Sequence, residues 1–339
     1  MRTWHRKVAG GLVALVGVAF LVSIVVNQLF SVGPAFERMA DGFRPVMQEE
    51  AIAALEQDLQ GLAAVSEEFP TQAVPMMSQA LGVTPDEFVV GMQEQYPDVA
   101  TGMDQLAAVV ESFSGVVSTL EAEIDRFASA DAIPTEDLPA TTIPWAMLVA
   151  GIVLIGVGIT IAVTTGRAAP IAAAVVGALL VVVPLALSLP SKAADADQMN
   201  ENLKPVYTQE LVEGAQQGLQ VVGAMGAQMQ EEMLPGLGEQ LGMDEAALQG
   251  FLGENLPATA AAIGAMPDAM GRFTTVVETF DAHLEDYETI SDVAFVPIVW
   301  TLIIGGAVAL LAGIWAALAR GVPAKREEGS ASGTAAGAA

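Results

Sequence analysis

Four uncharged, apolar stretches divide the chain, at residues 8–31, 145–165, 169–190 and 296–318. Each reaches the roughly 20 residues that an α-helix needs to cross about 30 Å of hydrocarbon. The two long segments between them carry apolar residues at helical spacing. The pattern therefore predicts an all-α membrane protein with four transmembrane helices and two helical domains outside the bilayer.

The clearest periodicity lies in residues 97–127, where apolar residues recur in alternating steps of four and three. This spacing is the heptad pattern of helices that pack as a coiled coil. An earlier helix in each segment, around Leu55 and around Val222, carries a matching apolar face. We expect each segment to fold as its own small up-and-down bundle. The seam positions are Val99, Met103, Leu106, Val110, Phe113, Val117, Leu120, Ile124 and Phe127 in the first segment, and Ile263, Met266, Met270, Phe273, Val277, Phe280, Leu284 and Tyr287 in the second.

Short motifs mark the ends of these helices. Thr84-Pro85-Asp86-Glu87 has the form of a capping box with proline at the first helical position. Asp244 takes the capping position in the second segment, and Gly82 and Gly242 suit helix C-termini with positive φ. A short helix is therefore predicted between each glycine and the proline that opens the long seam helix.

The chain also matches itself. Residues 43–127 align with residues 203–287 at a constant shift of 160 without a gap, with an identity of about a fifth. The same shift places the first apolar stretch on the third. Because the matches fall on residues that define helix ends and cores, we interpret the chain as a tandem duplication with both copies in the same orientation. The matched pairs include Pro45 and Pro205, Pro75 and Pro235, Gly82 and Gly242, Pro97 and Pro257, and Phe113 and Phe273.

Basic residues predict the orientation, because Lys and Arg are enriched on the cytoplasmic side. Seven basic residues, among them Arg6, Arg167 and Lys325, flank the ends of the apolar stretches that share one side of the membrane. Both termini are then cytoplasmic in a multi-pass protein of the cell membrane. The predicted parts are a cytoplasmic N-terminus and first transmembrane helix (1–31), an extracytoplasmic domain (32–144), a second transmembrane helix (145–165), a short loop and third transmembrane helix (166–190), a second extracytoplasmic domain (191–295), a fourth transmembrane helix (296–318) and a disordered cytoplasmic tail (319–339).

Composition agrees with membrane insertion: 53% of the 339 residues are hydrophobic, and the mean hydropathy is +0.51. The charge is unevenly distributed, since 38 of the 40 acidic residues lie in the two long segments, against six basic residues. Such a surface attracts cations or basic partners and repels nucleic acid. The acids are scattered rather than clustered, which favours the alternative of a solvated, repulsive exterior.

Candidate chemistry is sparse. The chain has no cysteine and two histidines, and we expect His283, which aligns with Glu123, to lie on the polar face of the seam helix. Known catalytic and phosphate-binding motifs do not occur, and the adjacent carboxylate pairs lack the spacing of a calcium loop. We therefore expect a protein that is not an enzyme, with no catalytic residue, no cofactor and no metal site.

Small residues four apart predict close packing of the membrane helices. They are Gly158 and Ala162, Ala173 and Gly177, and Gly305, Ala309 and Gly313. Ionisable side chains, which mark proton and ion pathways, do not occur at mid-depth.

The leading hypothesis is a non-enzymatic interaction or scaffold component of a bacterial cell envelope. Its expected partners are membrane lipids and either envelope membrane proteins or further copies of this chain. The alternative is binding or passage of a lipid or other apolar ligand as an accessory to envelope transport. The candidate apolar surface for either role is Met76, Met77, Phe88, Val89 and Val90. A sensor is a third alternative, which would need a partner for its cytoplasmic output.

Overall fold

The computed structural model describes residues 2–135 and 138–319. The chain is all-helical, with 88% helix and no β-strand within these residues. The predicted cytoplasmic tail lies, apart from Ala319, outside the described residues.

Fifteen α-helices and two π-helical turns follow one another in the described ranges. They are α1 (Arg2–Val26), α2 (Leu29–Phe43), α3 (Glu49–Glu68), a π-helical turn (Phe69–Ala73), α4 (Val74–Leu81), α5 (Pro85–Gln95), α6 (Pro97–Asp131), α7 (Thr142–Val163), α8 (Ala168–Ala186), α9 (Leu189–Leu203), α10 (Gln209–Gln228), a second π-helical turn (Met229–Met233), α11 (Leu234–Leu241), α12 (Glu245–Asn255), α13 (Pro257–Ala282), α14 (Leu284–Ser291) and α15 (Phe295–Leu318).

Four of these helices, α1, α7, α8 and α15, are long and apolar enough to cross a membrane. Helix α1 ends at Val26, five residues before the end of the apolar stretch, because Gln28 adopts a left-handed conformation with φ of 47°. Ser188, with φ of 54°, marks the corresponding break after α8. Residues other than glycine rarely adopt this conformation, so neither break could be predicted from residue type.

The membrane unit consists of the described residues within 1–26, 145–186 and 300–319. Its helices approach one another at small residues, as predicted. A Cβ atom on Gly158 would lie 2.6 Å from the carbonyl oxygen of Gly10 and from the amide nitrogen of Ala14. On Gly313 it would lie 2.6 Å from the amide nitrogen of Ala174. Helix α7 therefore packs backbone-to-backbone on α1, and α15 does the same on α8.

The bundle unit consists of residues 27–144 and 187–299, as far as they are described. Its buried apolar side chains form one shared core rather than the two separate bundles that we expected. Helix α6 packs on α3 and on α10, and α13 packs on α10 and on α3. The short helices cross in the same way, since α2 packs on α14 and α9 on α6.

The width of the apolar stripe explains this shared core. Besides residues of its heptad seam, α6 buries Gly102 and also Val116, the neighbour of the seam residue Val117. Likewise, α13 buries Val276 next to the seam residue Val277. Adjacent buried residues make a stripe broader than a two-helix seam, so one partner helix does not cover it. The second partner comes from the other half of the chain; here the first half is residues 1–165 and the second half is residues 166–339.

Three sets of contacts show how the halves meet. The rings of Phe113 and Phe273, which are 160 positions apart, pack edge to face with centroids 5.1 Å apart. Glu68, nine-tenths buried, accepts hydrogen bonds at the start of α13 from the amides of Ala258 and Thr259 and from the Thr259 hydroxyl, the last two at 2.7 Å. Gln228 accepts hydrogen bonds at the start of α6 from the amides of Asp98, at 2.9 Å, and Val99. Each half thus caps the long helix of the other half.

The predicted local caps are confirmed. The Thr84 hydroxyl accepts a hydrogen bond from the Glu87 amide, and the Glu87 carboxylate accepts one from the Thr84 amide at 2.8 Å. Asp244 caps α12 through the Ala247 amide, and Gly82 and Gly242 have φ of 71° and 65°. The two π-helical turns were not predicted.

The expectation for His283 was wrong. Helix α13 ends at Ala282, and the half-buried His283 ring lies so close to Gly42 that a Cβ atom there would overlap it. Its Nδ1 atom lies 3.2 Å from the Asp286 carboxylate, which also pairs with Arg38. The aligned Glu123 is 2% exposed and accepts hydrogen bonds from Arg126 and from Asn202. Both positions are covered because α2 and α9 pack over them.

Candidate functional site

The five predicted site residues lie on two short helices of the bundle unit. Met77 on α4 is buried, and Met76 is half-buried. On α5, Phe88 and Val89 are half-buried, and Val90 is 53% exposed. Of these five residues, Phe88 lines an apolar groove, together with residues that the sequence did not single out.

This apolar groove has a volume of about 240 Å³. Its walls come from both halves of the chain, since α5 faces the second π-helical turn and α11. Apolar side chains predominate, with an acid, two amides and a phenol among them. The lining residues are Leu81, Val83, Glu87, Phe88, Gly91, Met92, Gln95, Tyr96, Met233, Leu237 and Gln240.

Glu87 supplies a fixed negative charge to the apolar groove. Hydrogen bonds from the amide and the hydroxyl of Thr84 lower the pKa of the Glu87 carboxyl group below its usual value. The group therefore stays ionised at neutral pH, where it disfavours an anionic ligand.

Sequence reasoning missed the second-half residues of this groove because they are distant from α5 along the chain. One signal was present in the 160-residue shift: Gly91 aligns with Phe251, so the first half has no side chain where the second half has a large one.

A second groove, of about 360 Å³, lies between α3 and α6. Four carboxylates, those of Glu49, Glu56, Glu121 and Asp125, surround an apolar floor, and the described lining includes no basic residue. The floor consists of Ile52, Ala53, Ala122 and Ile124. We call this the acidic groove. The apolar floor and the anionic rim of this groove are complementary to a partner that presents apolar and cationic side chains next to one another.

Elsewhere in the bundle unit, arginines are paired with acids within the protein. Arg272 on α13 makes a bidentate ion pair with Asp58 on α3, at 2.7 and 2.8 Å. Arg44 pairs likewise with Asp131, and Arg38 pairs with Asp286. These cations join helices, and among the described residues no ion pair involves a carboxylate of the acidic groove.

No protein-family profile matches the chain, and a search of curated proteins found no relative.

Proposed function

We propose that the chain is a tandem duplication of a unit made of a membrane helix, a helical segment and a second membrane helix. Elements that recur at the 160-residue shift support this proposal. Three kinds of feature recur 160 residues apart. They are the left-handed residues Gln28 and Ser188, the two π-helical turns, and the helix caps formed by Glu68 and Gln228. Because Lys and Arg are enriched on the cytoplasmic side, we also propose that both termini are cytoplasmic and that the bundle unit is extracytoplasmic.

We further propose that the protein is a non-enzymatic scaffold of a bacterial cell envelope. The observation that carries this proposal is the acidic groove on a bundle that both halves build together. Its occupant would be a basic amphipathic segment of another envelope membrane protein, since cationic side chains would meet the four carboxylates and apolar ones would meet the floor.

In-cell photocrosslinking tests this proposal. A photoreactive phenylalanine analogue replaces Ala53 or Ala122 in the groove, and Ser114, exposed on α6, provides the control position. We expect a discrete crosslinked species from the two groove positions and none from position 114.

Charge dependence makes the test specific. The combined substitutions Glu49→Gln, Glu56→Gln, Glu121→Gln and Asp125→Asn should abolish the crosslinked species. A matched variant that neutralises four exposed carboxylates elsewhere, at Glu94, Glu111, Glu210 and Glu213, should retain it. Crosslinking that is equal in the two variants, or absent from the native groove, would contradict the scaffold proposal.

A second candidate function is binding of a lipid or other apolar ligand. The apolar groove beside α5 favours it, because ligand sites are concave and mostly apolar with a few polar groups at fixed positions.

A further inference from the structure

The short helices α5 and α12, which occupy corresponding positions in the two halves, differ in how deeply their apolar side chains are buried. Helices α5 and α12 have matching bounds at the 160-residue shift. In α12 the inner positions are closed, since Leu248, Leu252 and the following Leu256 are 4%, 5% and 1% exposed. At the matching positions of the first half, Phe88 and Tyr96 are only half-buried, and both line the apolar groove with Met92.

Gly91 accounts for part of this difference. The residue 160 positions later is Phe251, whose ring packs against the bundle core. A Cβ atom on Gly91 would meet nothing within 4 Å, so close packing does not require glycine here. Glycine inside a helix costs about 1 kcal/mol relative to alanine. The first half therefore has a residue of low helix propensity at a position that lines the groove, where the second half has phenylalanine.

Gly236, next to the lining residue Leu237 on α11, lies against the ring of Tyr96. A Cβ atom on Gly236 would lie 2.6 Å from the Tyr96 hydroxyl oxygen, so glycine at this position admits the phenol. At the matching positions of the other half stand Met76 and Leu256, neither of which carries a hydroxyl group. Two glycines thus leave an apolar space with a hydroxyl group among its lining.

We propose that the apolar groove binds the hydrocarbon chain of an uncharged amphiphile. The proposal rests on the proposed duplication, which defines the matching positions, and it specifies the ligand of the second candidate function. Met92, Met233 and Leu237 contact the chain, in the place that a phenylalanine ring takes in the other half. The amides of Gln95 and Gln240 and the Tyr96 hydroxyl offer hydrogen bonds to an uncharged head group.

Charge and size select this ligand over others. The ionised Glu87 and the acidic exterior repel a carboxylate or phosphate head group. A protein partner is disfavoured because a stable interface covers about 800 Å² on each side. The groove has a volume of about 240 Å³, and the large exposed apolar side chains near α5 in sequence are Val83, which lines it, and Val90.

Photoaffinity labelling of the full-length protein in nanodiscs of zwitterionic lipid tests the proposal. The probe is decanoyl glycerol with a diazirine on its chain, and mass spectrometry locates the attachment sites. We expect labelling within residues 81–96 and 233–240, and competition by unmodified decanoyl glycerol. Gly91→Phe should reduce this labelling at least about tenfold, equivalent to about 1.4 kcal/mol of binding free energy.

Controls separate filling of the groove from damage to the fold. Gly91→Ala keeps most of the space and should retain the labelling. Gly115→Phe adds the same ring to an exposed position of α6 with nothing within 4 Å and should also retain it. Unchanged labelling in Gly91→Phe, or attachment confined to residues outside 81–96 and 233–240, would overturn the proposal.

A decanoate probe with the same diazirine tests the head group. We expect at least tenfold weaker labelling, and equal labelling would refute the selection against anions. These outcomes are independent of the scaffold proposal, since the acidic groove shares no lining residue with the apolar groove. Loss of the charge-dependent crosslink would leave the labelling result standing, and the reverse also holds.

Discussion

Glu68 caps the long helix of the second half, and Gln228, 160 positions later, caps the long helix of the first half. The exchange is reciprocal. Each acceptor is the last residue of a helix that precedes a π-helical turn. The starts of the two longest helices of the bundle unit therefore depend on contacts between the halves.

Removal of the Glu68 acceptor should destabilise the bundle unit. Glu68→Ala leaves two amides and a hydroxyl at the start of α13 without their partner, at a cost of about 1–3 kcal/mol. Gln228→Ala should cost about 0.5–2 kcal/mol, as for other helix caps. Thermal unfolding of the purified protein, followed by circular dichroism, measures both. Glu67→Ala, which alters the exposed neighbour, is the control, and equal behaviour of the two glutamate variants would refute the assigned cap.

The halves should assemble when they are made as separate chains. Residues 1–165 and 166–339 each carry seams that the other half covers, so we expect the two fragments to copurify in equal amounts through a tag on one of them. Resistance of the pair to limited proteolysis should approach that of the intact chain. Purification of each fragment as a stable, protease-resistant monomer would show that the shared core is dispensable.

Close packing in the membrane unit makes a sharp contrast between two glycines of α7. Gly158→Leu forces a side chain against the backbone of α1 and should cost about 1–3 kcal/mol. Gly156→Leu, two residues away, meets nothing within 4 Å and should be tolerated. The midpoint of thermal unfolding in nanodiscs distinguishes them, and similar midpoints would argue against the α1–α7 contact.

Acid should weaken the junction between α2 and α14. Burial raises the pKa of Asp286, but the hydrogen bonds from Arg38 and His283 more than offset this, and the net pKa is lowered. Because the folded state then binds the proton less readily than the unfolded state, stability is lost as the pH falls below about 4. Asp286→Asn should flatten the dependence of the unfolding midpoint on pH in this range. Glu288→Gln, an exposed change on the same helix, should leave the slope as it is, and identical slopes in all three proteins would exclude the junction as its source.

Much of the helical architecture could be predicted from the sequence. The four apolar helices, the long seam helix α6, the capping box at Thr84 and the glycine C-caps follow from local patterns, because hydrophobic period and capping chemistry act within a few residues.

The arrangement of the helices could not be predicted in the same way. A seam shows which face of α6 is buried, but α3 and α10 carry similar apolar faces, and periodicity does not say which of them covers it. The helix breaks at His283, whose ring packs against Gly42 on a helix far away along the chain. Partner choice and such breaks are set by tertiary contacts that a local pattern does not contain.

The candidate site was predicted only in part for the same reason. Phe88 belongs to the candidate apolar surface predicted from the sequence, and it lines the apolar groove. Met233 and Leu237 come from the second half, and Gly91 contributes by the absence of a side chain. The residue types therefore indicated that α5 contributes to a candidate site, but they did not indicate which residues of the second half complete the apolar groove.

The shared core has a consequence for biosynthesis. The ribosome completes α6 at Asp131, but α13, which forms part of the same core, ends about 150 residues later, at Ala282. At a translation rate of about 5–20 residues per second, α13 is completed on the order of ten seconds after α6. During that interval its apolar stripe is only partly covered, which makes the nascent first half a client for chaperones and a target for proteases on whichever side of the membrane it emerges.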